Sequence, residues 1–470
     1  MRRSAEPTIW FEVGEFLEYF HWAKSPTGIQ RVQMELFWEA NRRRLVPGRI
    51  RFCRLDRYTH HFVAVEFSQI VACFEDAPSA GGRSLVPFAR TPLARSISQI
   101  RADMRVWRGS VRWCLAEARN WLRRFGPNGA SVDPRVSCFA PGDVVICLGN
   151  AWEDERYGEF VALARRERDI RFAALIYDLI PMTHPSSVNP ENALAFRRWL
   201  DGMIENADLM LAISEYSRTV LLDHARDRRG RAPPVEVLPL GAGFRLSGVS
   251  VRAEAMAKLP PRYALFVSTL SIRKNHQFVA RVWQALMAKH GADKLPHLVF
   301  VGQIGWLVAD FMAELKANRY LEGKIIILSD LSDAEVQQAY EGCLFTVYPS
   351  LAEGWGLPIA ESFEHGKLCV ASNRTSMPEV GGELADYVDP EDLAGATVTI
   401  ERAIFDEEYR RRREAQIRDN YRPVSWAESF SSFFAALDRL HGPDGRSTPD
   451  ADRMGENSFR HRPRSVGADG

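Results

Sequence analysis

The sequence predicts an α/β protein built from two doubly wound parallel sheets that face each other across a cleft. Three observations lead there. At 470 residues the chain exceeds what one hydrophobic core ordinarily organises, so two domains are expected. Short runs rich in β-formers alternate with stretches of helical periodicity in both halves, the pattern of a parallel sheet covered on both faces. An irregular segment from Phe244 to Arg262, containing Pro260-Pro261 and preceded by the polar stretch Arg226 to Pro234, separates the halves, and the pattern restarts after it.

The first half opens with an alternating strand, Thr8 to Val13. Ser25-Pro26-Thr27-Gly28-Ile29-Gln30-Arg31 then leads into a helix with apolar positions Ile29, Val32, Leu36 and Phe37. Further strands are expected at Arg51 to Leu55, Asp143 to Leu148, Arg171 to Ile176 and Leu209 to Ile213, giving a domain over residues 1–245. Ser214-Glu215-Tyr216-Ser217 has the composition of a helix cap. In residues 246–441 strands are expected at Tyr263 to Val267, His297 to Val301, Lys324 to Leu328, Leu344 to Tyr348 and Leu368 to Ala371, with the final helix packing back on the first domain. Residues 442–470 are Gly, Pro, Ser, Arg and Asp with few apolar positions, a composition that does not offset the entropy of ordering. Between Ser96 and Phe125, Ile97, Ile100, Met104, Trp107, Val111, Leu115, Ala118 and Leu122 repeat at helical spacing beside a stripe of arginines. That segment reads either as a surface helix packed on its own domain or as a basic amphipathic helix for an anionic membrane.

Composition narrows the function classes. Hydrophobic residues make up 46% and charged residues 26%, with a net charge of +1, which excludes a nucleic-acid binder driven by bulk electrostatics. The seven cysteines are scattered without a C-x-x-C pair, as expected of buried thiols in a reducing compartment. Glu12 interrupts the first apolar run and no stretch is long and apolar enough to span a bilayer, so a cytoplasmic protein is expected.

The most informative segment is Tyr348-Pro349-Ser350-Leu351-Ala352-Glu353-Gly354-Trp355-Gly356-Leu357-Pro358-Ile359-Ala360-Glu361. An apolar strand ends at Tyr348, two glycines permit a tight turn, and Pro358 suits the start of a helix. Amides at that helix start attract an anion, and Glu361, one turn in, can face the same place. A phosphate accompanied by hydroxyls is the natural ligand. The second segment is Phe266 to His276, in which Arg273 and Lys274 sit between a strand end and a helix starting near Asn275. The guanidinium forks onto phosphate oxygens and the ammonium is a compact mobile charge. Read singly, the two cations are a solvated loop pair, and Glu353 and Glu361 are a helix-end carboxylate and a solvent-facing one. Together, both segments fall at the same edge of one sheet. Paired carboxylates also suit a glycoside hydrolase, but adjacent phosphate-binding cations on two doubly wound domains disfavour it.

Ser268 to His276, Gly302-Gln303-Ile304-Gly305-Trp306, Pro349 to Glu361, Pro378-Glu379-Val380-Gly381-Gly382 and Val388-Asp389-Pro390 together resemble the donor domain of retaining family-4 glycosyltransferases with the GT-B fold. The resemblance covers about residues 260–400. It implies two Rossmann-like domains, with Glu361 on the nucleotide ribose, Glu353 on the transferred sugar near its anomeric carbon, Gly354, Trp355, Gly356 and Leu357 offering backbone donors, and Arg273 and Lys274 on the diphosphate. Thr269 stands where many relatives carry a phosphate-binding Arg after a Gly, which shifts diphosphate binding towards Arg273 and Lys274.

In the first half, Ser25 to Arg31 resembles the glycine-containing first loop of a mannosyltransferase-like subset, and Ile176-Tyr177-Asp178-Leu179-Ile180-Pro181 resembles an H-D-L-I-P segment in which Tyr177 replaces the usual His. Gly28, Arg31 and Tyr177 are therefore acceptor-side candidates. Asp178 is a candidate proton acceptor or acceptor contact, or equally a turn cap. Trp152 offers a ring to a sugar, or an aromatic to the core or its rim. The histidines are dispersed, and the only D-x-D, Asp450-Ala451-Asp452, lies in the tail, so no metal or other cofactor is expected. The resemblance implies a hexosyltransferase that takes a nucleotide-diphosphate sugar, of GDP-mannose type by its subset, and passes the sugar to a saccharide or lipid-linked glycan in surface or exopolysaccharide synthesis. Two other outcomes remain open. One is a sugar-nucleotide epimerase or hydrolase on a similar scaffold; the other is a non-catalytic nucleotide-binding subunit of a polysaccharide assembly complex.

Overall fold

Strands with nearly every residue buried dictate sheets covered on both faces, and the structure, a computed structural model, has two of them. It describes residues 7–22, 26–43, 49–56, 61–76, 138–149, 151–153, 156–229, 232–243 and 251–441. The expected amphipathic segment 96–125 and the tail 442–470 lie outside the described residues.

The first sheet contains β1 (Ile9–Glu12), β2 (Ile50–Leu55), β3 (Phe62–Val65), β4 (Val144–Cys147), β5 (Arg171–Ile176), β6 (Leu209–Ala212) and β7 (Val235–Val237). Its order is β3-β2-β1-β4-β5-β6-β7. All pairings are parallel except β2 with β3, which is antiparallel. The second sheet contains β8 (Tyr263–Val267), β9 (His297–Val301), β10 (Ile325–Leu328), β11 (Thr346–Tyr348), β12 (Cys369–Ser372) and β13 (Asp386–Val388), ordered β10-β9-β8-β11-β12-β13 and parallel throughout. The sequence reading omits β3, β7 and β13. Each is an edge strand of three or four residues, too short to show a period, and an antiparallel edge on a parallel sheet is common.

Alternation along the strands sends side chains to two cores per sheet. In the second sheet Ala264, Phe266, Leu298 and Phe300 enter one apolar cluster, while Tyr263, Leu265, Val299 and Val301 enter another on the opposite face. Each sheet reverses its winding between two adjacent strands, β1 and β4 in the first and β8 and β11 in the second. Ligand crevices open at such switch points, beyond the carboxyl ends of the strands.

The final helix, Trp426–Asp438, completes the first core rather than the second: Trp426, Phe430, Phe433, Ala436 and Leu437 are buried with Phe11, Phe16, Phe37 and Leu211. The Phe433 ring lies 5.7 Å from Phe11. A Cβ at Gly241 would meet the Trp426 ring at 2.4 Å, so the glycine admits the indole, whose Nε1 donates to the Gly243 carbonyl at 2.7 Å. Three further ties join the two halves. Arg31 pairs with Asp333. Trp306 Nε1 donates to the Ser187 carbonyl at 2.9 Å. The Glu379 carboxylate accepts from the amides of Glu215 and Tyr216, each at 2.7 Å, and so caps the helix Glu215–Arg229 from the other domain.

Because Phe433 fills the first core from the far end of the chain, Phe433→Ala should cost about 3 to 5 kcal/mol of stability. The check is a lowered denaturant midpoint relative to wild type.

Candidate active site

The two informative segments emerge at the mouth of the second sheet, where β8 and β11 lie side by side at its switch point. After β8 the chain makes a short 3₁₀ turn, Ile272–Lys274. Asn275 then takes left-handed backbone, φ 64°, before the helix His276–His290 begins. Asn tolerates that conformation, and its Nδ2 is tied to the Pro390 carbonyl at 3.0 Å. After β11 the chain crosses Pro349 to Gly356 and enters the helix Leu357–Glu364, with Gly356 at φ 128°. A main-chain bond from Leu351 N to the Arg273 carbonyl, 2.9 Å, joins the two loops. The neighbouring loop after β9 is held equally closely: a Cβ at Gly302, φ 151°, would lie 2.0 Å from the Ser268 carbonyl, so only glycine fits. Thr269 packs its methyl against Gly305 in the same place.

At the centre is Glu353, only 7% exposed. Its Oε2 lies 2.6 Å from Arg273 Nη1 and its Oε1 2.6 Å from Lys274 Nζ. Arg273 Nη1 also donates to the Ala352 carbonyl at 2.6 Å. Lys274 Nζ donates to the Tyr348 hydroxyl at 2.7 Å and lies over that ring, 5.0 Å from its centroid. Thr375 Oγ1 accepts from the Glu353 amide at 2.9 Å, and Ser376 Oγ donates to the Glu353 and Trp355 carbonyls. Burial by itself would raise the Glu353 carboxyl, but the charges of Arg273 and Lys274 overcome it and hold it at about 2. Burial pulls Lys274 down to about 8, with Glu353 opposing the fall. Arg273 stays fully charged: burial opposes its charge, but Glu353 and Asp178 outweigh it.

Glu361 stands one turn into its helix. Tyr340 donates its hydroxyl to Glu361 Oε2 at 2.6 Å. Burial raises the Glu361 carboxyl, against that hydrogen bond and the charge of Arg31. In its first turn Pro358 has no amide hydrogen and the Ile359 amide donates to the Gly356 carbonyl at 2.9 Å, while the Leu357 amide, as at any helix start, has no acceptor within the helix. The side chains of Trp355 and Leu357 pack on the core of the first domain.

The first domain closes over this mouth. A Cβ at Gly354 would lie 2.2 Å from the Tyr177 carbonyl and 2.9 Å from Asp178 Cβ, so glycine there permits the two backbones to touch. A Cβ at Gly28 would lie 3.1 Å from Leu357 Cδ1. Asp178 accepts from the Ile180 amide at 2.9 Å, which is the turn cap, and it also lies within the fields of Arg273, Glu353 and Lys274; burial raises its carboxyl against the pull of Arg273. His184, on the same loop, is lowered by burial and by Arg273.

The structure thus brings together Glu353, Arg273, Lys274, Glu361, Gly354, Gly356, Leu357, Gly28, Arg31 and Asp178. It places Tyr177 and Trp152 otherwise. The Tyr177 side chain, 5% exposed, is part of the first core, and only its carbonyl meets Gly354. Trp152 is half-buried against the core on the other face of that sheet. Sequence reasoning missed Tyr340, Thr375, Ser376 and Asp333. The first three are polar groups whose partners lie more than twenty residues away, so no local pattern marks them. Asp333 does carry a local signal, the Ser332–Glu335 capping box just before it, but that announces only a helix start. Among the described residues no group of three His, Cys, Asp or Glu side chains could hold a metal, and no helix is long and apolar enough to cross a membrane.

Two Rossmann-like domains facing a cleft, with two cations and two carboxylates at its mouth, have the GT-B architecture. Residues 251–420 match the family described as glycosyl transferases group 1. Among curated proteins it is similar to the O-antigen chain mannosyltransferase B of Escherichia coli, 26% identical over 270 residues, which cover 54% of this chain and 67% of that protein. It is also similar to the serotype-specific mannosyltransferase WbdA of Escherichia coli, 25% identical over 323 residues, covering 66% of this chain but only 38% of WbdA. Among solved structures, Anabaena HepE in complex with UDP and glucose superposes with a TM-score of 0.55 at 16% identity, over 93% of this chain and all of that one. An α,α-trehalose-phosphate synthase (UDP-forming) from Burkholderia xenovorans gives a TM-score of 0.50 at 14% identity, over 63% and 73% of the two chains. Both likenesses concern the fold.

Folded-state ionisation of Glu353 contributes stability that is complete above its unfolded value of 4.5 and is lost as pH falls towards about 2. The Lys274 pKa is lowered as well, so stability again rises with pH, here from about 8 towards 10.5; below that window its buried charge costs stability. Glu353→Gln leaves two buried cations without a counter-charge. In mildly acidic buffer it should cost about 3 to 5 kcal/mol by chemical denaturation, and the deficit should narrow as rising pH strips Lys274 of its proton.

Proposed function

We propose that this glycosyltransferase moves a sugar from a nucleotide-diphosphate donor, GDP-mannose foremost, to a saccharide or lipid-linked glycan acceptor with retention of the anomeric configuration. The observation that carries the reading is Glu353 clamped between Arg273 and Lys274 at the switch point of the second sheet. A buried carboxylate there occupies two cations that suit a diphosphate. When the donor arrives, its phosphates compete for Arg273 and Lys274, and Glu353 is released towards the sugar. Both contacts to Arg273 use Nη1, which leaves the rest of the fork for phosphate oxygens.

In this reading the departing nucleoside diphosphate is stabilised by Arg273, Lys274 and the amides at Gly356 and Leu357. Glu353 supports the oxocarbenium-like centre. Glu361 accepts from the ribose hydroxyls. Asp178, opposite Glu353 and Arg273, is the group best placed to receive the acceptor's proton, since burial raises its carboxyl. Mannose, and a role in surface-polysaccharide synthesis, are supported by the two Escherichia coli relatives, both named as mannosyltransferases and one as acting on the O-antigen chain. The protein cations carry the charge that a metal would otherwise supply, so a chelator should leave the rate unchanged.

A donor panel followed by nucleoside diphosphate release, with lipid-linked or free glycan acceptors, tests this directly. GDP-mannose should be turned over fastest. Glu353→Ala and Lys274→Ala should each lower kcat by about 100-fold or more with retained circular dichroism, and undiminished transfer in both would overturn the assignment.

Lys274 binds phosphate as a cation and loses its proton at about 8. Donor KM should therefore rise above that pH, and in Lys274→Arg the rise should leave the measurable range.

A further inference from the structure

We propose that Tyr340 is a positioning residue for donor binding: its hydroxyl fixes one carboxylate oxygen of Glu361 so that the other faces the ribose hydroxyls of the nucleotide. The inference rests on the reading of Glu361 given above and goes a step beyond it.

Tyr340 grips the Glu361 helix at two successive turns. Its hydroxyl donates to Glu361 Oε2 at 2.6 Å, and its ring stacks on His365 with centroids 5.3 Å apart and planes 6° from parallel. Glu361 and His365 are four residues apart and so share one helical face. With its ring 2% exposed and wedged among Tyr263, Leu328 and Ala339, the tyrosine cannot follow a wandering carboxylate; the carboxylate must come to it. A carboxylate has about four lone-pair sites. One bond to Oε2 leaves Oε1 open, enough for a vicinal diol.

The hydroxyl is well suited to this task. Burial first, and then the neighbouring Glu361, raise its pKa well above that of an ordinary phenol, so it remains a donor. The same bond helps to keep Glu361 ionised against burial, together with the charges of Arg31 and Lys274 and in opposition to Asp333. A bond that merely satisfied a buried phenol would have no bearing on the ribose, and that difference is measurable.

Binding of GDP and UDP by calorimetry identifies the tighter nucleotide. That nucleotide is then compared with its 2′,3′-dideoxy form on wild type and on Tyr340→Phe, which keeps the ring stack and deletes only the hydroxyl. Wild type should lose about tenfold or more in Kd on the dideoxy form, as expected for a hydrogen bond to a charged group. Tyr340→Phe should bind the parent nucleotide about tenfold more weakly, and its dideoxy penalty should shrink to about threefold or less. The Kd comes from the shape of the isotherm, so partial misfolding of the variant lowers stoichiometry without altering the ratio. A full dideoxy penalty in Tyr340→Phe would overturn the positioning role while leaving Glu361 on the ribose. Absence of any penalty in wild type would remove Glu361 from the ribose and overturn both, and failure of both nucleotides to bind wild type would overturn the proposed function itself.

Discussion

The arrangement depends on one buried carboxylate between two buried cations. Arg273 and Lys274 are adjacent in sequence and both largely shielded from water. Two such charges repel in a low-dielectric setting, and desolvation adds to the cost. Glu353 is what makes their burial tolerable, and the strain that remains appears in Lys274, whose proton is held only to about pH 8. In the proposed reading such a site exchanges one anion for another, because much of the cost of desolvating the cations is already met before the phosphate arrives.

The exchange requires the two loops to hold their positions without help from the ligand. Close backbone contacts hold them, Leu351 to Arg273, Gly302 against Ser268 and Gly354 against Tyr177, alongside the side-chain ties of Asn275, Thr375 and Ser376. Each of the backbone contacts needs a small residue or a main-chain group at the closest point. Side chains with larger bodies, Trp355 and Leu357, turn to the first domain and bury themselves there. The short stretch from Gly354 to Leu357 therefore does two things at once. Its amides are the donors that the proposed reading offers to the diphosphate, and its apolar groups pack on the first domain.

Much of this was legible in the sequence, for a physical reason. Strand, glycine turn and helix are local structures, so the segments around Arg273 and Glu353 announce themselves within a dozen residues each. Their pairing across 79 positions was not announced, and followed only from both being assigned to one sheet edge. Tyr177 shows a signal that was present but unused. Strand alternation puts Ile176 on one face and Tyr177 on the other, so that the ring enters the core while Asp178 is left at the mouth. Tyr340 had no such signal, since its partner is fixed by the packing of one helix against another. Edge strands of three or four residues were missed because a period cannot be read from so few.

Arg31 and the helix Asp333–Gly342 carry the argument from one domain to the other. Arg31 belongs to the first domain, yet it pairs with Asp333 at the start of that helix, and Tyr340 near its end holds Glu361. The field of Arg31 reaches Glu361 as well. Opening the cleft would withdraw a cation from the neighbourhood of Glu361, and burial, the force already raising that carboxyl, would then meet less opposition. In the proposed reading, the carboxylate that receives the ribose is therefore best maintained in its charged form when the domains are together, so closure and nucleotide capture favour each other through electrostatics alone. The coupling must run both ways, because any ligand that prefers the closed arrangement stabilises it by the same factor.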